Sequence, residues 1–396
     1  MKLRSKKGKY GNMSTQVMNG IDNINAIKNA LKNYKVGLVT NPSAINIQGF
    51  TAADLLASEN LVEAFFAPEH GIRGDLQNGV TFDDTIDPVY GKKVYSIYGK
   101  TARLTADRVK DIDAIVFDIQ NIGSRPYSYL RTMAYLIEDC AKLDKEFIVL
   151  DRVNPLGLEK FEGIVSESEF DRRWGFGVTQ RFGLTNGEYA RMVNKRYFNN
   201  ACRLTVVPCS NLKRNMMFND FNMHWVNPSP NIPNFASALI FAGCAAFEQS
   251  SIAEARGTTR PFEMYGTPWA DAYKIADKLN QLNLGGVFFR PCAFTAGENS
   301  FQKYVGECCR GVQVFISDYY AVNAFETGMW MLEIFRDICP EFSVPHPNGK
   351  NSERLFDAIL GSSDWRLGKV STADFIARGA KESDEYQKSI SEFMIY

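Results

Sequence analysis

The chain has 396 residues and balances 45 Lys and Arg against 45 Asp and Glu, so its formal net charge is zero. At about 150 residues per domain this length predicts two domains, and 45% hydrophobic with 23% charged residues is the make-up of a folded chain. Zero net charge argues against a general nucleic-acid or membrane-surface binder, and no run reaches the roughly 18 apolar residues of a membrane span.

The start, Met1 to Lys7, carries the charge of a signal n-region with no apolar stretch after it. A periplasmic or extracellular location is expected if an export signal has been removed, and a cytoplasmic one otherwise. A helical pattern covers Asn23 to Asn33, and Lys35 to Thr40 is a short run apolar on both faces. Similar runs follow at Leu61 to Phe66, Asp113 to Asp118, Glu146 to Leu150 and Leu204 to Pro208. Strands of that kind are the ones covered by helices on both sides. Further helices are predicted from Tyr127 to Leu143 and from Thr185 to Phe198. The latter opens on Thr185 with Glu188 three residues on, the spacing of a capping box. The rhythm predicts an α/β fold with a doubly wound, largely parallel sheet. Prolines 228, 230 and 233 then stiffen Trp225 to Asn234 and mark a boundary, giving a first domain over 20–230 and a second over 231–396. The second is expected to be smaller and α+β. It has a helix from Phe235 to Phe247, strands at Gly286 to Arg290 and Val312 to Ile316, a long helix from Ala321 to Ile338, and two more helical stretches.

Polar residues gather in the loops that follow the strands, where ligands bind an open parallel sheet. No GxGxxG follows the first strand, and Gly99-Lys100-Thr101 lacks the first glycine of a P-loop because Val94 stands in its place. No cofactor is expected. Eight cysteines without a CxxC pair, and three histidines, make no zinc site, and free buried thiols are the expectation. There is no GxSxG, and only His70 lies in a site loop, with His224 and His346 read as packed or solvated, so a serine or cysteine triad is disfavoured. Carboxylate chemistry fits the inventory better. Glu69 lies at the rim of an apolar strand, where desolvation favours the protonated form that a general acid needs; its bland role is to cap a helix or pair with Arg73. Asp118 ends the third strand, either as a second carboxylate or as an acceptor for loop amides. Arg125, Arg152, Arg256 and Arg260 would hold a carboxylate-bearing substrate if clustered, and are ordinary surface charges if scattered. Tyr127, Tyr129 and Trp174 offer faces for a sugar ring or belong to the core.

The motifs come in a recognisable order. Gly37 to Asn41, Phe66 to Gly71 with Arg73 and Gly74, Tyr95 to Gly99, and Phe117 to Gln120 with Gly123, Arg125, Tyr127 and Tyr129 come first. Leu150 to Arg152 with Asn154 and Pro155, Glu162 with Gly163, Phe182 to Thr185 with Glu188, Pro228 to Asn231, and Arg256 to Thr259 with Pro261 to Glu263 follow. In this series the chain resembles the exo-β-N-acetylmuramidase (NamZ-type) family of peptidoglycan glycosidases, formerly a domain of unknown function. The resemblance implies a Rossmann-like first domain, an ancillary C-terminal domain and a cleft between them. It also implies hydrolytic release of terminal N-acetylmuramic acid from the non-reducing end of peptidoglycan fragments. Glu69 becomes the leading catalytic residue, with Asp118, Glu162 or Glu254 as the second carboxylate. The substrate-binding candidates are Asn41, His70, Gln120, Arg125, Tyr127, Arg152, Asn154, Asn231, Arg256 and Arg260. The expected partner is a muramyl sugar or peptidoglycan fragment, whose lactyl carboxylate gives loop arginines something to hold; no metal and no nucleic acid are expected. The chain departs from the family pattern at Asn121, Val153 and Ala255, where the family carries Asp, Pro and Gly. Loss of the charge at 121 leaves a non-catalytic cell-wall sugar-binding protein as the alternative.

Overall fold

Short strands whose side chains alternate between two apolar faces need a cover on each side. The computed structural model describes residues 15–77, 79–99, 102–166, 175–297, 303–344 and 352–396. Trp174, His346, the Lys100-Thr101 pair and the Lys-rich start lie outside the described residues. The larger sheet comprises β1 (Val36–Thr40), β2 (Val62–Ala67), β3 (Thr85–Ile86), β4 (Lys93–Ser96), β5 (Ala114–Asp118), β6 (Glu146–Leu150) and β7 (Arg203–Val207). Their order is β3-β4-β2-β1-β5-β6-β7, and all pairings are parallel except β3 with β4. The alternation is visible residue by residue. Leu38, Phe65, Val116 and Ile148 enter one apolar cluster, and Val39, Phe66, Phe117 and Val149 the other.

Five of these strands match the predicted apolar runs. β3 and β4 do not, because β3 is a two-residue exposed edge strand and β4 carries exposed or polar residues around Val94. Helices α1 (Ile24–Ala30) and α2 (Ala52–Ser58) cover one face, and α3 (Ala106–Val109), α4 (Ser128–Lys142) and α5 (Asn186–Phe198) the other. The capping box read at Thr185 forms: its hydroxyl accepts from the Glu188 amide, and the Glu188 carboxylate accepts from the Thr185 amide.

The smaller unit has a three-stranded antiparallel sheet of β8 (Met264–Thr267), β9 (Val287–Thr295) and β10 (Cys308–Ile316), in the order β8-β10-β9. Around it lie α6 (Phe235–Cys244), α7 (Ala272–Gln281), α8 (Ala324–Ile338), α9 (Ser352–Leu360) and α10 (Thr372–Ser389). The apolar cluster on the α4 and α5 face of the large sheet continues through α6, α8, α9 and α10 without a break. The two units therefore share one core. All eight cysteines are free, and no helix among the described residues is long and apolar enough to cross a membrane.

Candidate active site

Pro68 ends β2 abruptly, and the chain turns out of the sheet through His70 and Gly71, both in the left-handed region at φ 73° and 74°. A histidine in that region is strained and needs support. His70 receives it: the ring is buried, and Nδ1 lies 3.0 Å from the Leu76 carbonyl. A carbonyl only accepts, so Nδ1 carries the proton and Nε2 keeps its lone pair. Burial holds the imidazole pKa below its ordinary value, against the opposing pull of Glu69.

This turn delivers Glu69 to the wall of a cavity of about 290 Å³. The carboxylate is 8% exposed. Its Oε1 accepts from the Gly79 amide at 3.1 Å and from the Tyr98 hydroxyl at 2.9 Å, and its Oε2 contacts the Ser128 hydroxyl at 2.7 Å. Burial, and then Glu69 itself, push the Tyr98 phenol up, so it stays a donor. The two oxygens are not equivalent. Oε1 faces a backbone N–H that can only donate, whereas Oε2 faces a serine hydroxyl that donates or accepts. Of the two oxygens, Oε2 is therefore the one whose partner could also turn to accept. Ser128 opens α4, so the positive end of that helix dipole stands beside Glu69. Arg73, the alternative partner, pairs with Asp87 instead.

Another part of the wall comes from the smaller unit and the proline-rich segment before it. Asn231, Phe241, Glu248, Arg256 and Phe262 line it. Arg256 is buried, packed over the Phe262 ring at 5.1 Å, paired with Glu248, and 3.4 Å from Glu254. Burial pulls its pKa down to about 10, opposed by the charge of Glu69. Glu254 in turn takes a 2.9 Å bond from buried Lys303, which also donates to the Phe247 and Ile252 carbonyls. Charge thus alternates from Lys303 through Glu254 and Arg256 to Glu248.

Of the residues singled out in the sequence, Glu69, His70, Tyr127, Asn231 and Arg256 line this cavity. Gln120 and Arg152 line a separate pocket of about 30 Å³ near the point where strand order reverses between β1 and β5. There Arg152 pairs with fully buried Asp118, whose pKa burial raises and Arg152 lowers. Asn41 acts at one remove. Its amide donates to the Tyr129 hydroxyl, which donates to the Pro228 carbonyl and so ties the proline-rich segment to α4. Arg125 is buried against the carbonyls of Ile164, Val178 and Ile359. Asn154 is spent on Phe182, Leu184 and Leu156. Glu162 pairs with Arg181 and accepts from the amides of Ala324 and Phe325 at the start of α8. Arg260 is exposed beside Glu263.

Sequence reading missed Tyr98, Ser128, Arg131 and Glu248. Tyr98 and Ser128 were within reach, since each sits inside a motif, next to residues already chosen. Glu248 follows an apolar helical run, and nothing in that run signals a cavity. The departures are also accounted for. The Asn121 side chain accepts from the Ile122 amide and does not line the cavity. The Val153 amide donates to Asn19, a bond that proline could not make. Ala255 holds φ 55°, where glycine would be at ease.

Two family models cover most of the chain. Exo-beta-N-acetylmuramidase NamZ, N-terminal, matches residues 36–236, and exo-beta-N-acetylmuramidase NamZ, C-terminal, matches residues 239–396. The chain is 35% identical to the peptidoglycan beta-N-acetylmuramidase NamZ of Bacillus subtilis (strain 168), over 96% of its own length and 92% of the relative's. Among solved structures, a DUF1343 family protein of Bacteroides fragilis NCTC 9343 superposes with a TM-score of 0.86 at 31% identity, covering 96% of this chain and 99% of that one. A second protein of that description from the same strain, at TM-score 0.73 and 24% identity over the same shares, supports the fold alone.

Proposed function

The chain belongs to the exo-β-N-acetylmuramidase NamZ family, and from that premise we propose that Glu69 is the acid of a glycosidase that releases terminal N-acetylmuramic acid from peptidoglycan fragments. The enzyme is a peptidoglycan hydrolase of the exo-β-N-acetylmuramidase type. The observation that carries the role of Glu69 is the inequality of its two oxygens. Oε1 is fixed by donors from Gly79 and Tyr98, whereas Oε2 faces the Ser128 hydroxyl, which can turn to accept the proton that an acid would carry there. In the reaction that proton passes to the glycosidic oxygen as its bond to C1 breaks, and a water supplies the oxygen that C1 regains.

Glycoside hydrolysis needs a second carboxylate or a substitute for one. Among the described residues that line the cavity the other carboxylate is Glu248, which pairs with Arg256. Asp118 and Glu162 are committed to buried arginines outside the cavity lining, and Glu254 stands behind Arg256. We therefore assign the second carboxylate to Glu248.

Glu69→Gln keeps the size and most of the hydrogen bonds, and it removes the proton. Its turnover of a muramyl disaccharide is expected to fall about 10²–10⁴-fold, the usual worth of a general acid. With a nitrophenyl aglycone, which leaves without protonation, the loss is expected to be much smaller. Near-normal disaccharide turnover by a folded Glu69→Gln protein would overturn the assignment.

A further inference from the structure

Lys303 lies between β9 and β10, and its side chain is only 2% exposed. Its ammonium donates to the Phe247 carbonyl at 2.7 Å, to the Ile252 carbonyl at 2.7 Å and to Glu254 Oε2 at 2.9 Å. Three acceptors call on all three N–H groups, so the amine is in its charged form. Burial works against that charge, and Glu254 supports it. A methionine would fill the same length without the cost of desolvating a cation, so a lysine buried here calls for a reason.

Two of the three bonds lead to the cavity. The Phe247 carbonyl belongs to the peptide unit that runs into Glu248. Glu254 divides its oxygens: Oε2 takes Lys303, and Oε1 lies 3.4 Å from Arg256 Nε. Arg256 Nη2 in turn pairs with Glu248. The four groups thus form a chain of two positive and two negative charges. Without Lys303, two carboxylates would share one guanidinium, and both would hold a proton more readily. We infer that Lys303 is a positioning residue: by neutralising Glu254 it leaves the charge of Arg256 to Glu248, which then stays ionised as the second carboxylate of the reaction. This inference rests on the assignment of Glu248. Other titratable groups face the chain. Glu69, His70, Tyr98 and Arg131 line the same cavity, and Tyr265 on β8 bears on Arg256 and Glu254. Tyr304 donates to the Ser251 carbonyl, and α9, packed on the turn that carries Glu248, brings Glu353, Arg354 and Asp357. All of these are unchanged in the variants below, so a difference between variants belongs to the chain itself.

The test follows kcat/KM against pH on a nitrophenyl β-muramide. Its aglycone leaves without protonation, so the acidic limb reports the carboxylate that must be ionised. Lys303→Met removes one positive charge and is expected to move that limb up by about half to one pH unit, less than the ~1–3 units of a cation in direct contact. Glu254→Gln keeps an acceptor for Lys303, removes one negative charge, and should move the limb down by a similar amount. The double variant restores the balance, and its limb should return close to that of wild type. A lysine that only ties loop carbonyls would lower stability or kcat in both Lys303→Met proteins and leave the limb unmoved; that outcome overturns the inference, as does a double variant whose limb stays with that of Lys303→Met. Should Lys303→Met fail to fold, Glu254→Gln decides, and an unmoved limb there overturns the inference. Glu248→Gln is the control. Near-normal turnover by that folded protein removes Glu248 from the reaction, and this inference falls with it; lost turnover there with unmoved limbs elsewhere overturns the role of Lys303 alone.

Discussion

Asp151 closes β6 with both carboxylate oxygens engaged. One accepts from the Arg152 and Gly187 amides, the other from the hydroxyls of Thr185 and Tyr396. Burial nevertheless dominates, and it raises the carboxyl pKa from an ordinary 3.8 to about 6. The folded protein then binds a proton more tightly than the unfolded chain between those values. Stability from this group is fully present below about pH 4 and is lost as pH rises through about 6, worth roughly 3 kcal/mol across that span. The melting temperature of the wild-type protein is expected to fall between pH 5 and pH 7.5 by more than that of Asp151→Asn. Parallel pH profiles for the two proteins would refute this. Ala255 shows a second kind of residue-scale constraint: its left-handed backbone is tolerated because the chain must fold back there to bring Arg256 against Glu248.

Helices α6 and α8 meet backbone to backbone. A Cβ on Gly243 would overlap the Ala324 carbonyl, and one on Gly328 would overlap the Gly243 carbonyl. Alanine in a helix interior is better than glycine by about 1 kcal/mol, so Gly328→Ala would stabilise the isolated helix. Overpacking against a rigid carbonyl costs about 1–3 kcal/mol or more, and the second effect is the larger. Gly328→Ala is expected to lower the urea midpoint, whereas an alanine that fits would raise it. The same crossing sets the cavity, because α6 carries Phe241 and runs into the turn that presents Glu248. At this scale β1, β2, β5 and β6 were legible, since burial on both faces writes a continuous apolar run into the sequence, and β7, an edge strand, was legible because Leu204, Val206 and Val207 keep such a run. β3 and β4 were not, because β3 is two exposed residues and β4 breaks its apolar pair with Lys93 and Ser96.

Across the whole molecule, several residues chosen as site candidates join the two units. Glu162 comes from the larger unit, holds Arg181, and caps α8 of the smaller one; Arg125 reaches the Ile359 carbonyl in α9. The segment after α10 binds back onto the larger unit, chiefly onto α5. Glu392 pairs with Lys195, the Ile395 amide donates to Glu188, and the Tyr396 hydroxyl donates to Asp151. One apolar cluster runs through both units, so the elements that line the cavity pack on a common core. Glu162→Gln leaves buried Arg181 without its countercharge and is expected to cost about 3–5 kcal/mol, read as a lower denaturant midpoint. Well below that midpoint its kcat is expected to stay within a few-fold of wild type, and a loss of kcat like that of Glu69→Gln would instead place Glu162 in the chemistry.

The sequence alone determined the alternating α/β architecture, the Thr185 cap, the family likeness and the prominence of Glu69, because each is written in local spacing, in residue type or in the order of motifs. Only the tertiary structure separated Arg256, which faces the cavity, from Arg125, Arg152 and Arg260, which do not line it. It alone brought Glu248 and Arg131 to the wall around Glu69. Those relations join residues far apart in the chain through packed helices, and a charged side chain carries the same letter whether it supports a loop carbonyl or faces a ligand.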